Sequence, residues 1–200
     1  ANVGAIQAVV GPGDLVLSDS LNHASLIDGC RLSRAKVCVY RHLDHAHLAE
    51  LLDEHAPGFG RVLVVTESLF SMDGDEAPLA QLAVAAQRHG AGLMVDEAHA
   101  LGVFGPSGRG LCAAHGVVPD LLVGTLGKAF GLAGAFLAAA VPTVDLVRNR
   151  ARSFVFSTAP SPALAATIVD AVNLVEKADL ERETLLAHAE RLRVGLRDLG

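Results

Sequence analysis

Six short apolar runs occur along the chain, and helix-like amphipathic stretches separate them. The runs lie at 15–18, 36–40, 62–66, 93–96, 121–125 and 135–139. Each is continuously apolar instead of alternating with polar residues, which is typical of strands covered on both faces of a sheet. Strands that alternate with helices favour parallel pairing. The pattern therefore predicts an α/β protein with a three-layer α/β/α fold and a mostly parallel sheet.

Several helix boundaries follow from residues that start or stop helices. Pro78 and Gly90 enclose one amphipathic stretch, with Pro at the start and Gly at the end. Asp44 precedes a second amphipathic stretch, and its carboxylate is expected to cap that helix. A further helix is expected at 2–10.

The pattern changes after Pro160 and Pro162, where two long helical stretches follow each other without a strand between them. This change predicts a domain boundary near residue 162. We expect residues 1–162 to form most of a large domain and residues 163–200 to be helices that lead into a smaller domain. The chain starts without a methionine, inside a predicted helix, and stops just after another helix, so we also expect a fragment truncated at both ends.

Composition and charge exclude some classes of partner. Apolar residues make up 51% of the chain and charged residues 19%, so the chain is expected to fold. Its net charge of −6 repels phosphate backbones, which argues against a nucleic-acid partner. The longest uncharged stretch, 129–144, is shorter than the roughly 20 residues that a membrane span needs, so no membrane partner is expected.

Cysteine and histidine usage argue against a metal or disulfide framework. Cys30, Cys38 and Cys112 are odd in number and form no CxxC pair, so we expect reduced thiols in a cytoplasmic protein. The histidine-rich segment 41–47 matches no compact ligand set, and it is expected to form a solvated face around the Asp44 cap. No metal is predicted.

Polar segments follow four of the apolar runs. They lie at 19–23, 67–71, 96–99 and 125–128. In parallel α/β sheets, ligands bind in the crevice at the carboxyl ends of the strands. The sequence therefore predicts that these four segments converge on one binding crevice.

Lys128 lies in a glycine-rich segment, 124–131, with the sequence GTLGKAFG. Its small or apolar neighbours are expected to desolvate the ammonium partly, which favours the neutral amine that condenses with an aldehyde. Glycines there allow the backbone to come close to a flat ligand. The alternative is a structural lysine that reaches to solvent from a glycine-rich turn.

Asp96 ends an apolar run and begins the segment 96–99, DEAH. A buried carboxylate needs a cation or several hydrogen-bond donors, and a protonated pyridine nitrogen is such a cation. The alternative is an aspartate that caps the following turn. DEAH also occurs in ATPases, but those need a GxxxxGK[ST] phosphate loop. The single GK here is followed by Ala129 and comes after DEAH, which argues strongly against an ATPase.

His23 begins a predicted helix after the first strand and lies within the segment 19–29, DSLNHASLIDG. Its ring could stack on an aromatic ligand. The alternative is a histidine that is hydrogen-bonded to the backbone at the start of the helix.

Six motifs in register resemble those of the α-oxoamine synthases, a family of fold type I enzymes that use pyridoxal 5′-phosphate (PLP). Besides the segments at 19–29, 96–99 and 124–131, they are ESLFSMDGD at 67–75, GPSGRG at 105–110 and FST at 156–158. The resemblance runs along the whole chain. It implies an acyltransferase that joins an amino acid to an acyl-CoA, or an acyl-carrier thioester, with loss of CO₂.

The resemblance also implies roles for individual residues in binding PLP and in catalysis. Lys128 would carry PLP as a Schiff base and then move protons at the substrate α-carbon. Asp96 would pair with the pyridinium nitrogen. His23 would stack on one face of the ring, and Ala98 would pack on the other.

Three further residues are implied to lie around the ring and the phosphate of PLP. His99 would hydrogen-bond the phenolic oxygen, with Ser71 beside it, and Thr125 would contact the phosphate.

Ser157 and Thr158 resemble the pair that reaches the phosphate in the partner subunit, which implies a homodimer with shared active sites. Both follow an apolar run at 152–156 that is expected to be a strand delivering them to its end.

Within the family, the motif at 124–131 is most similar to that of members that condense L-alanine with a pimeloyl thioester in biotin biosynthesis. The alternative is a member that uses glycine and acetyl-CoA.

Overall fold

The computed structural model describes residues 1–199, which form a six-stranded sheet flanked by helices. The strands are β1 Leu15–Asp19, β2 Lys36–Tyr40, β3 Val62–Glu67, β4 Gly92–Asp96, β5 Leu121–Thr125 and β6 Ala135–Ala139. The helices are α1 Asn2–Val9, α2 Ala24–Ser33, α3 His45–His55, α4 Leu79–Arg88, α5 Gly110–Ala114, α6 Val141–Arg150, α7 Arg152–Val155, α8 Pro162–Glu176 and α9 Asp179–Asp198. All six predicted strands are confirmed.

The strands lie in the order β2-β1-β3-β4-β5-β6. The first five are parallel, and β6 runs antiparallel to β5. Every residue of β1 is buried, whereas β2 and β6 at the two edges are partly exposed. The expectation that each strand is covered on both faces is therefore wrong for the edges, because the helices cover the centre of the sheet more fully.

Two apolar layers hold the helices against the sheet. Alternate residues of β1 point to opposite faces, so Leu15 and Leu17 pack with α3 and α4, while Val16 packs with α1 and α2. Leu48 and Leu82 are fully buried in the first layer. Burying a side chain of this size contributes about 1.5–3 kcal/mol. This packing confirms the predicted three-layer α/β/α fold.

The predicted helix signals are found where the sequence places them. Asp44 caps α3, since its Oδ1 accepts a hydrogen bond from the His47 N–H at 2.9 Å. Pro78 precedes α4, and Gly90 follows its end with φ +62°, a conformation that favours glycine.

The predicted strand at 152–156 is wrong, because this segment contains the one-turn helix α7. The N–H groups of Phe154 and Val155 both donate to the carbonyl of Ala151, which closes a helical turn. A short apolar run does not distinguish a strand from a helix by its periodicity.

The helices α8 and α9 follow one another with no strand between them, as the sequence predicts. The Ser161 hydroxyl accepts a hydrogen bond from the Leu164 N–H and caps α8. The domain boundary at residue 162 stays a prediction. Among residues 1–199, no helix is both long and apolar enough to cross a membrane.

His42 differs from its prediction as part of a solvated face. Its side chain is only 20% exposed. Its Nδ1 lies 2.8 Å from Asp19 Oδ1, and its Nε2 lies 2.8 Å from Asp75 Oδ2. The ring also packs edge-on against Phe70. His42 therefore connects the end of β1 to the turn that follows β3.

Stability should depend on pH through His42. Burial alone lowers the pKa of this imidazole, but the hydrogen bonds to Asp19 and Asp75 and their negative charges raise it overall. A raised pKa means that the contribution is complete below the unfolded value of about 6.5 and is lost as the pH rises through the folded value. We expect His42→Gln to lower the melting temperature more at about pH 6 than at about pH 9, measured by thermal unfolding. An equal loss at both pH values would contradict this.

Candidate functional site

A cavity of about 280 Å³ lies at the carboxyl ends of the parallel strands. Each of the four polar segments predicted to converge contributes to its wall. The lining residues are Ala1, Asn2, Val3, His23, Ser25, Glu67, Asp96, Ala98, His99, Val123, Gly124, Thr125, Lys128, Ala135 and Ser153. Six of the nine predicted site residues are therefore brought together. These six are His23, Asp96, Ala98, His99, Thr125 and Lys128.

Asp96 is the buried anion of this cavity, with 5% of its surface exposed. Its Oδ1 accepts a hydrogen bond from the Ala98 N–H at 2.9 Å, and its Oδ2 accepts one from Asn2 Nδ2 at 2.6 Å. Within residues 1–199, no cationic side chain forms an ion pair with it. The carboxylate is oriented by two neutral donors and is free to pair with a cationic ligand.

His23 caps α2, which agrees with the structural alternative for this residue. Its Nδ1 accepts a hydrogen bond from the Ser25 N–H at 3.2 Å and lies 2.8 Å from Ser25 Oγ. The ring is nevertheless exposed on the cavity wall. His23 can therefore cap the helix and also stack on a ligand, since the backbone holds one edge of the ring and the rest of the ring can contact a ligand.

His99 places a buried nitrogen at the cavity wall. Its Nδ1 has no hydrogen-bond partner within the described residues and lies 3.8 Å from Glu67 Oε2. That distance is too long for a hydrogen bond. Burial lowers the pKa of the His99 imidazole, and the nearby Lys128 ammonium lowers it further.

Lys128 lies in the turn between β5 and β6 and is exposed. The expected partial desolvation is therefore wrong, because Gly127 and Ala129 beside it are exposed as well. The Thr125 hydroxyl donates to the Gly134 carbonyl at 3.2 Å. Gly124, behind this turn, has no room for a Cβ, which would overlap Leu101 and Phe136.

Three predicted residues lie outside this cavity. Ser71 is exposed in the turn after β3. Ser157 lines a neighbouring cavity of about 460 Å³, which shares Ala1, Ala135 and Ser153 with the first. Thr158 is exposed and lines neither cavity. Their predicted roles stay predictions.

Sequence reasoning missed Asn2, Ser25 and Glu67 as individual site residues. Glu67 ends β3 directly beside Asp96, its partner in the sheet register. Only 2% of it is exposed, and its Oε1 accepts a hydrogen bond from the His23 N–H at 2.5 Å. Burial, opposed mainly by this hydrogen bond, raises the pKa of the Glu67 carboxyl to about 7. Its position in a polar segment at a strand end was the signal that could have found it.

Glu67 should make stability fall as the pH rises. The folded protein holds this proton more tightly than the unfolded chain, whose glutamate pKa is about 4.5. The contribution is therefore complete below about pH 4.5 and is lost as the pH rises through about 7. We expect Glu67→Gln, which keeps the acceptor for His23, to gain stability relative to the wild type between about pH 5 and 8. Urea unfolding at several pH values measures this difference, and a constant difference would contradict the assignment.

The chain belongs to the family Aminotransferase class I and II, which it matches over residues 1–200. It is 50% identical to the 8-amino-7-oxononanoate synthase of Acidithiobacillus ferrooxidans over 203 residues, which cover 99% of this chain and 51% of that protein. It is 44% identical to 8-amino-7-oxononanoate synthase 2 of Bacillus subtilis, with 100% of this chain and 51% of that protein covered. The chain thus spans about half the length of the curated relatives it matches.

Solved structures share the fold over nearly the whole chain. A serine palmitoyltransferase from S. paucimobilis, solved with a bound PLP–myriocin aldimine, matches with a TM-score of 0.94 and 36% identity, covering 100% of this chain and 52% of that one. An 8-amino-7-oxononanoate synthase from Francisella tularensis matches with a TM-score of 0.78 and 29% identity, covering 91% and 52%. Both are α-oxoamine synthases, so the resemblance predicted from the motifs is confirmed.

Proposed function

We propose that this chain is the PLP-binding part of an acyltransferase that condenses L-alanine with a pimeloyl thioester to form 8-amino-7-oxononanoate. The observation that carries the proposal is the cavity itself, which both the buried Asp96 and Lys128 line. The curated relatives named above bear this activity in their names and are about half identical to the chain.

The residues present fit PLP. Asp96 is a buried carboxylate without a cationic partner among residues 1–199, and a protonated ring nitrogen would supply one. His99 has a buried nitrogen that makes no hydrogen bond to the described protein, and a phenolic oxygen near that ring would give the imidazole a partner. Lys128 supplies a primary amine that can condense with the aldehyde.

When bound, PLP supplies an electron sink that stabilises a carbanion at the substrate α-carbon. The Asp96 carboxylate would pair with the ring nitrogen and hold a proton there. Lys128 Nζ would accept and return the α-carbon proton. His23 and Ala98 would hold the ring between them, and Thr125 would lie beside the phosphate.

The choice of substrates is tested by assay. The relatives favour alanine with a pimeloyl thioester over the alternative of 2-amino-3-ketobutyrate CoA ligase, which uses glycine and acetyl-CoA. We expect kcat/KM to be highest for L-alanine with the pimeloyl thioester when both amino acids are tested against both acyl donors. A preference for glycine with acetyl-CoA would reverse the proposal. The ATPase alternative lacks a phosphate loop in the sequence.

Further parts of the proposal concern the whole protein. Residues 1–162 would form the large domain, and residues 163–200 would lead into the smaller one. The unpaired cysteines suit a reducing cytoplasm. Ser157 and Thr158 would reach the phosphate in the partner subunit of a homodimer, and their exposure on the surface is compatible with this role.

Shared sites can be tested with a hybrid dimer that pairs a Lys128→Ala subunit with a Ser157→Ala, Thr158→Ala subunit. If sites are shared, both lesions meet in one site and the other site is intact. About half of the wild-type activity per dimer should then survive. If each subunit builds its own site, activity should not exceed the mean of the two mutant homodimers, which would rule out sharing.

A further inference from the structure

A chain of hydrogen bonds runs along the cavity wall from Asp96 to His23. Asn2 Nδ2 donates to Asp96 Oδ2 at 2.6 Å and to Ser25 Oγ at 2.9 Å. Ser25 Oγ in turn lies 2.8 Å from His23 Nδ1. The four side chains come from α1, the start of α2 and the end of β4, and all four line the same cavity.

The direction of each bond in this chain is determined by its members. The Asp96 carboxylate can only accept, so the Asn2 amide must present its NH₂ group to it. The same NH₂ group faces Ser25 Oγ, which therefore accepts from Asn2. The hydroxyl has one proton of its own, and His23 Nδ1 is the acceptor within reach of it.

A second donor reaches the same nitrogen. The Ser25 backbone N–H points at His23 Nδ1 at 3.2 Å, and a backbone N–H cannot accept. His23 Nδ1 therefore faces two groups of one residue that can donate to it. A proton on Nδ1 would oppose the backbone N–H and would require the hydroxyl to turn and accept instead. In neutral histidine one ring nitrogen carries the proton and the other accepts. The proton consequently belongs on Nε2.

We propose that Ser25 is a positioning residue that fixes His23 as the Nε2–H tautomer, so that the ring presents a hydrogen-bond donor to the ligand. His23 Nε2 has no hydrogen-bond partner among the described residues, and the ring is exposed on the cavity wall. Its N–H is thus available to an acceptor oxygen of an amino acid or thioester. This inference rests on the proposed function for the identity of that ligand.

These hydrogen bonds also connect the two side chains that would contact the PLP ring. Asp96 would lie at the ring nitrogen and His23 on the ring face, and Asn2 and Ser25 link them through neutral donors. Ser25 thereby keeps a hydrogen-bond donor on His23 without adding a charge beside the pyridinium.

The tautomer can be observed by ¹⁵N NMR of the protein labelled at histidine, at about pH 8, above the ordinary histidine pKa of about 6.5. Comparison with a His23→Gln variant identifies the His23 signals. We expect a protonated Nε2 and an unprotonated Nδ1 in the wild type. Ser25→Ala removes the hydroxyl bond at 2.8 Å and leaves only the longer backbone N–H contact at 3.2 Å, so it should add a measurable Nδ1–H population. Ser25→Thr, which keeps the hydroxyl, should restore the single tautomer.

Kinetics give the functional part of the test. Ser25→Ala should lower kcat about tenfold with a smaller change in KM, and Ser25→Thr should recover most of it. Ser20→Ala is the matched control, because Ser20 is exposed and its hydroxyl makes no hydrogen bond within residues 1–199.

A protonated Nδ1 in the wild type, or a Ser25→Ala protein that keeps the single Nε2–H tautomer, would overturn the assignment to Ser25. Wild-type kcat in Ser25→Ala would overturn the use of this donor in catalysis. The NMR measurement needs neither PLP nor substrate. A wild-type protein that shows the tautomer but fails to bind PLP would therefore contradict the proposed function alone.

Discussion

Replacing Lys128 with alanine is expected to lower kcat by at least about a thousandfold, since a positioned proton-transfer group supplies roughly 10²–10⁴-fold by itself. The variant should also lose the visible absorbance of lysine-bound PLP. Borohydride reduction of the wild type should attach the cofactor to one peptide, the one that contains Lys128. Peptide mapping by mass spectrometry measures this, and labelling at another residue would contradict the assignment.

The chain offers direct controls for this experiment. Lys36 and Lys177 are the other two lysines, and neither lines the cavity. Replacing either with alanine should leave the labelled peptide unchanged. Lys128→Arg keeps a positive charge, but its guanidinium does not replace the primary amine that condenses with the aldehyde. If Lys128→Arg retained substantial activity, the lysine would act through its charge and not through its amine.

Asp96→Asn is expected to lower kcat at least tenfold, about 1.4 kcal/mol of barrier, while the protein stays folded. An uncharged amide cannot hold a proton on the ring nitrogen, so the ring accepts electrons less well. The substitution also has a local cost, because an amide at position 96 can turn its NH₂ group towards the NH₂ group of Asn2. Thermal unfolding and steady-state kinetics together separate the two effects.

Exchanging the residues at positions 2 and 96 separates the effect of the lost charge from the effect of the lost hydrogen bond. Combining Asp96→Asn with Asn2→Asp again pairs one donor with one acceptor between the two positions, but it moves the carboxylate. We expect this double variant to regain stability and not to regain activity. Recovery of both would mean that the single variant fails through its hydrogen bonds, and that the charge at position 96 is dispensable.

The sheet was predictable because its strands are short, continuous and apolar. Runs such as 62–66 and 93–96 are too short and too uniformly apolar for amphipathic helices, and helix-like stretches separate them, so strands are the remaining interpretation. Parallel strands then bring the polar segments that follow them to one edge of the sheet. The wrong strand at 152–156 shows the limit of this reasoning. Five residues are too few for a period to appear, so the outcome depends on the turn that Ala151 closes.

The parts of the site that could not be predicted depend on contacts between distant residues. Asn2 and Asp96 are 94 positions apart, and no local pattern relates them. His42 likewise contacts Asp19 and Asp75 only once β1 and the segments that follow β2 and β3 are in place. The exposure of Lys128 depends on the backbone conformation of the turn between β5 and β6. The glycines in this turn allow several conformations, so the sequence does not determine which one forms.

The cavity wall collects residues from Ala1 to Ser153, so opening any strand or helix that contributes to it removes part of the wall. A ligand held there binds only forms in which these elements are in place, and it stabilises all of them. By mass action, a concentration one hundred times the dissociation constant adds about 2.7 kcal/mol. Proteases that attack transiently opened chains would then act more slowly on the loaded protein. The cellular lifetime of the protein should accordingly follow the supply of its vitamin cofactor.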